Sequence, residues 1–255
     1  MEKMMQEIQH SKKLAVTPKP CHEFDPIGGT GTGGVIAIML GRMGMAFNDC
    51  IRAYSKFSKT SFHRKMSIRS STLTFSAAQF ESAMKTAIKK NCENSANMLL
   101  CDLSCPKTND DNISACKTWE VARATTAAVS FFKSVKIGRD DIEYIDAAFG
   151  HNNPCIGDII EINEAKPIAK ALDNMATRSK QAAMRLKTAY SNSNGYYRFD
   201  VENGLKNITL WDWKKTSQIS AHTRNYLREN EEAVKRLIEV MTWSSVQQHA
   251  LELDS

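Results

Sequence analysis

His22-Glu23-Phe24-Asp25-Pro26-Ile27-Gly28-Gly29-Thr30-Gly31-Thr32-Gly33-Gly34 runs directly into Val35-Ile36-Ala37-Ile38-Met39-Leu40-Gly41-Arg42-Met43-Gly44-Met45. Crowded glycines ahead of an apolar segment with helical periodicity read as a tight turn feeding a buried helix. Glycine has no Cβ, so it admits positive φ and close approach of one backbone to another. The first amides of a helix lack intrahelical acceptors, so such a turn can cradle negative charge. The turn contains neither Ser nor Cys.

Three readings of these glycines compete. Gly29-Thr30-Gly31-Thr32-Gly33-Gly34 satisfies the G-x-G-x-x-G dinucleotide pattern, which also requires a strand before the turn and an acid near the ribose. Pro26 removes a ladder donor from the only strand candidate, Phe24–Ile27, and Asp49 sits at a helix start. No Gly-Lys-Ser or Gly-Lys-Thr closes a P-loop. The second reading is a nucleophile elbow, G-x-S-x-G, framed by Gly29, Thr30, Gly31, Thr32 and Gly33. Gly31 then stands where the nucleophile belongs, and Thr30 and Thr32 flank the apex. The third reading is a structural turn with no ligand.

The bulk numbers set wide bounds. The chain has 255 residues, 42% hydrophobic and 24% charged, which is ordinary for a globular protein with one sizeable core. A net charge of +6, from 34 basic and 28 acidic residues, comes with no recognition motif, so nucleic acid is not an expected partner. Seven dispersed cysteines and an N-terminus without the apolar core of a signal peptide point to free thiols in a reducing, cytoplasmic setting. Cys101 and Cys105 have no accompanying His or second tight Cys pair, so no metal site is expected. No apolar run is long enough to span a bilayer.

Along the chain, the pattern predicts helices over 3–10, from Gly34 to about Gly41–Gly44, over 50–57 behind an Asn48-Asp49 cap, and over 75–90 behind Ser76. Lys56 to Arg69, basic with Phe57 and Phe62 interleaved, reads as a solvated surface loop rather than a lipid or phosphate contact. Residues 91–116 carry only Met98-Leu99-Leu100 as a strand nucleus. Trp119 to Ala128 is a small-residue helix suited to close packing. Ile142-Glu143-Tyr144-Ile145-Asp146 reads as a strand ending in a carboxylate. Helices over 158–164, 169–190, 210–228 and 231–249 and a strand over 196–201 complete the reading. Trp211, Trp213 and Trp243 read as helix packing and His151 as a turn histidine.

Phe24 to Arg42 resembles the elbow region of patatin-like phospholipases, where the family has Gly-Thr-Ser-Thr-Gly-Gly. Trp119-Glu120-Val121-Ala122-Arg123-Ala124-Thr125-Thr126-Ala127-Ala128 is similar to that family's helix before its catalytic-aspartate strand. Tyr144 to Pro154 resembles its Asp-Gly-Gly/Ala segment, and Tyr197-Arg198-Phe199 with Ala221-His222-Thr223-Arg224 its fungal tail.

The resemblance implies an α/β fold: a three-layer patatin-like sandwich with a central mixed or parallel sheet, here incomplete, plus C-terminal helices. It divides the chain into a connector with a short helix (1–20), a partial patatin-like domain (21–209) and a helical extension (210–255). It implies lipid acyl hydrolysis by a Ser–Asp dyad without metal or cofactor, in which Ser forms an acyl-enzyme and backbone amides hold the oxyanion. Asp146 carries over as the dyad aspartate. Gly31 takes the position of the nucleophile, and Ala147 replaces the glycine after the aspartate. The family's Asp-Gly-Gly-Gly-x-Arg-Gly oxyanion loop would lie upstream of Met1, and two sheet strands, between Leu100 and Cys116 and after Glu164, look shortened or missing. The resulting expectation is a domain that has lost catalysis, with phospholipid or a membrane surface as its partner. A non-catalytic lipid-binding or protein-interaction module is the alternative.

Overall fold

The computed structural model describes residues 1–61, 75–93, 117–128, 132–137, 141–146, 168–193, 195–201, 208 and 215–253. Contacts divide the chain into two units, Phe24–Arg185 and a second made of Met1–Glu23 with Leu186–Ser255.

In the first unit the glycine turn leads into helix α3 (Thr32–Ala37; α1 and α2 belong to the other unit), continued by a single π turn, Ile38–Arg42. The π turn closes with Met43 N–H donating to the Ile38 carbonyl at 2.8 Å. Helix α4 (Phe47–Ser61) and helix α5 (Ala77–Glu93) then pack against each other, and α5 packs on α6 (Thr118–Thr125). The predicted cap is present: Gln79 N–H donates to Ser76 Oγ at 3.3 Å. At the other end of α5, Asn91 Nδ2 donates to the Met43 carbonyl at 2.9 Å, tying that helix to the end of the π turn. Strands β1 (Val135–Ile137) and β2 (Ile142–Tyr144) form an antiparallel hairpin with Lys136 opposite Glu143. The fold is therefore mixed α/β, and its sheet has two strands among the described residues.

The core of this unit follows the helical spacings. Val35, Met39 and Leu40 come from the segment after the turn, Cys50 and Phe57 from α4, Phe80 and Met84 from α5, Ala122 from α6, with Phe132 ahead of β1. Phe80 sits at the centre, meeting Phe57 edge-on at 4.7 Å and Phe132 at 5.4 Å between ring centroids. Such ring pairs add to the area they bury.

In the other unit, α1 (Glu2–Ser11) turns Met4, Met5 and Ile8 inward, as its spacing predicts, and packs on α9 (Glu231–Leu253), which contributes Val234 and Ile238. Helix α2 (Pro20–Glu23) starts on a proline, whose fixed φ suits the first helical position. Lys12 Nζ holds Glu23 at 2.7 Å. Helix α8 (Thr216–Glu229) packs on α9. Helix α7 (Ile168–Ala189) lies close to its predicted bounds.

Three local expectations are corrected. Phe24–Ile27 forms no strand: Pro26 has no N–H to give, and the segment has no ladder partner among the described residues. Ser58–Ser61 continues the predicted 50–57 helix instead of starting the loop, because Ser58 and Ser61 extend the buried face of Cys50 and Phe57 while Lys56 and Lys59 stay exposed. Tyr196–Val201 is irregular; there Arg198 pairs with Asp200 at 2.6 Å, and Asp200 N–H donates to the Tyr226 hydroxyl at 3.0 Å instead of to a neighbouring strand. The readings at Phe62–Arg69, Met98–Leu100, Cys101, Cys105, Ala147, His151, 158–164, Trp211 and Trp213 lie outside the described residues, as does the side chain of Trp243.

Candidate functional site

Three glycines of the turn, Gly29, Gly31 and Gly34, each have their own steric reason. A Cβ on Gly29 would lie 2.4 Å from the carbonyl carbon and oxygen of Gly33, so the chain folds back on itself with no room for a side chain. A Cβ on Gly34 would lie 2.5 Å from Thr125 Oγ1, which puts the backbone of α3 directly against α6. Gly31 forms the apex, with φ 58° and ψ −130°, a conformation that L-residues rarely adopt. Its carbonyl accepts from Gly34 N–H at 3.1 Å and Val35 N–H at 3.3 Å, which starts the helix. Gly33, by contrast, meets nothing within 4 Å of a built Cβ. Thr32 and Gly33 are exposed, and Thr30 and Gly31 are half-buried.

The Cβ direction of Gly31 points at Asp146. Oδ2 would lie 3.3 Å away and Oδ1 3.9 Å, and no other described group comes within 4 Å of that position, the chain neighbours and the helix's own backbone apart. Asp146 follows two residues after β2 ends and is 4% exposed. Its N–H donates to the Ala127 carbonyl at 3.0 Å, just past the end of α6. One short helix therefore positions both halves of the site: Thr125 seats the glycine turn, and Ala127 holds the aspartate strand. Thr126 secures that helix end by donating its hydroxyl to the Ala122 carbonyl at 2.9 Å. The structure thus sets Asp146 beside Gly31, both singled out in the sequence, while Gly29, Thr30, Thr32 and Gly33 flank the apex along the chain.

Arg123 was missed. It is 1% exposed, its Nη2 donates to the Lys133 carbonyl, its Nε lies 3.8 Å from Glu81 Oε1, and its guanidinium carbon lies 5.4 Å from the Phe132 ring centre. Burial lowers its pKa from the ordinary value, and Glu81 pulls it back up. The side chain joins α5, α6 and the approach to β1. Nothing in the spacing distinguishes this arginine from a surface one. The sequence marks Thr125 and Ala127 only as members of a small-residue helix.

Chemically, the arrangement offers a carboxylate facing a backbone apex that carries no nucleophile. Cys50 does not substitute for one: it lies in the core with Sγ 3.9 Å from Met39 Sδ, and burial pushes its thiol up to about 11. Cys21 and Cys50 are both free thiols. Among the described residues no group of His, Cys, Asp and Glu is arranged to hold a metal ion, and no helix is long and apolar enough to cross a membrane.

Residues 10–157 match the family described as patatin-like phospholipase. The chain is 24% identical over 302 residues to calcium-independent phospholipase A2-gamma of Rattus norvegicus and 22% identical over 299 residues to the protein of that name from Homo sapiens. Each comparison covers 92% of this chain and 38% of the relative, so the chain spans well under half the length of these proteins. The alignments are longer than the 255-residue chain itself, so the relatives carry internal segments that this chain lacks. No solved structure matches.

Proposed function

The chain belongs to the patatin-like phospholipase family, and from that premise we propose that it is a lipid-acyl-hydrolase fold without acyl-hydrolase chemistry. The observation that carries this is the apex itself: Gly31 has the backbone geometry of an elbow, Asp146 stands 3.3 Å from its Cβ position, and no hydroxyl lies between them. In the family, a serine at that apex attacks the acyl carbonyl while the aspartate orients or deprotonates it. Without Oγ no acyl-enzyme forms, and Asp146 has no catalytic serine to act on. The fuller architecture, a three-layer sandwich around a mixed or parallel sheet with some strands lost, is part of the same reading. It is supported by family membership and by the gaps against the longer relatives.

The non-catalytic alternative, lipid binding at this site or peripherally at a membrane surface, is favoured by one feature. Thr32 and Gly33, directly after the apex, are exposed, so the turn offers surface that a ligand can meet.

Short-chain acyl-ester turnover by the purified chain, compared with Asp146→Asn, tests the proposal. The expected result is no difference between the two proteins and no labelling by a fluorophosphonate. Turnover that disappears in Asp146→Asn overturns it.

A further inference from the structure

We propose that the connector between α1 and α2 docks on a bilayer carrying anionic headgroups, with Val16 entering the interface. This rests on the reading of the chain as peripheral at a membrane surface, and it names the segment that makes the contact.

Helix α1 ends in a reversal that holds the connector in place. Lys13 N–H donates to the His10 carbonyl at 3.2 Å and Leu14 N–H to the Gln9 carbonyl at 2.9 Å, the paired bonds of a Schellman stop. Lys13 occupies the place usual for glycine, with φ 53°, a conformation that a side chain makes costly. The Gln9 side chain then grips the connector on both sides of Val16. Its Nε2 donates to the Leu14 carbonyl at 3.3 Å, and its Oε1 accepts from the Thr17 hydroxyl at 2.6 Å. Lys12 is tied to Glu23 at 2.7 Å, and Pro18 fixes its own φ just beyond the tip. A tip ordered in advance loses little further freedom on docking.

That tip presents apolar surface within a basic surround. Val16 is 73% exposed and Leu14 39%, with Lys13 and Lys19 exposed on either side along the chain. No Asp or Glu occurs between Glu7 and Glu23. A projecting valine suits a yielding surface into which it can sink, and flanking lysines suit a negative one. A bilayer with anionic lipid is both. Nucleic acid would meet the lysines but would leave Val16 in water.

The test is co-sedimentation of the full chain with vesicles of phosphatidylcholine, alone or with about 30% phosphatidylserine, at about 0.1 M salt. Wild type is expected to bind the phosphatidylserine vesicles at least about tenfold more tightly, a preference that shrinks as salt is raised. Val16→Asp, exposed and so expected to leave the melting temperature unchanged, should weaken that binding by at least about tenfold, while Val16→Leu preserves it. Lys13→Gln and Lys19→Gln should each cost about fivefold. Vesicle binding that is indifferent to phosphatidylserine, or to Val16→Asp, would overturn this assignment while leaving the membrane reading in place. Absence of binding to either vesicle would overturn both. Self-association that Val16→Asp abolishes, without vesicle binding, would give the tip to a second copy of the chain and overturn the proposal.

Discussion

The glycine turn and the aromatic cluster occupy the same unit and are built on opposite principles. At the turn, Gly29 and Gly34 bring backbone against backbone and against Thr125, so the structure depends on side chains being absent. In the cluster, Phe57, Phe80 and Phe132 fill the space between α4, α5 and the approach to β1, so it depends on side-chain volume. The first therefore rejects additions and the second rejects deletions. The site inherits both, since α6 packs on the turn through Thr125 and on α5 through the core around Ala122.

The contrast breaks most severely at Gly29. In Gly29→Ala the new Cβ meets backbone atoms of Gly33 at 2.4 Å, which only a rearranged turn can relieve. The expected loss is more than about 4 kcal/mol, at the extreme of single substitutions, read from the urea midpoint. A near-neutral result would mean that the turn is not folded back as described.

Phe80→Ala removes the centre of the cluster. It is expected to cost about 3–5 kcal/mol with an unchanged denaturant slope. A loss below about 1 kcal/mol would show that the rings do not share one core.

Gly33 sharpens the comparison from the other side. It lies in the first turn of α3, exposed, with nothing near a built Cβ and no positive φ. Gly33→Ala is expected to stabilise the protein by about 0.4–1 kcal/mol, through lost freedom of the unfolded chain. Destabilisation of that size would mean that the glycine run acts as a whole rather than position by position.

What the sequence made legible was local. The glycine spacing and the apolar run behind it announced the turn and α3, because both signals lie within a few residues of one another. Ser76 announced α5, and the resemblance paired Gly31 with Asp146. Arg123 and the contact of Gly34 with Thr125 were not legible, since each joins residues far apart in the chain and neither leaves a periodic trace. Tyr196–Val201 misleads because alternation marks a strand only where another strand pairs with it, and Phe24–Ile27 because Pro26 outweighs its apolar ends. Ser58–Ser61 misleads because Lys56 and Lys59 signal a solvated loop, while burial of Ser58 and Ser61 decides the helix.

The central claim is that Asp146 faces the apex at Gly31, and a double-mutant cycle on stability tests it without any need for activity. Gly31→Ser alone is expected to cost about 1–3 kcal/mol, because a side chain at φ 58° is strained. If the new side chain reaches Asp146, combining it with Asp146→Asn will give a total that departs from the sum of the single changes by about 0.5–3 kcal/mol. Additivity within about 0.3–0.5 kcal/mol would show that the two positions do not touch, and would contradict the account.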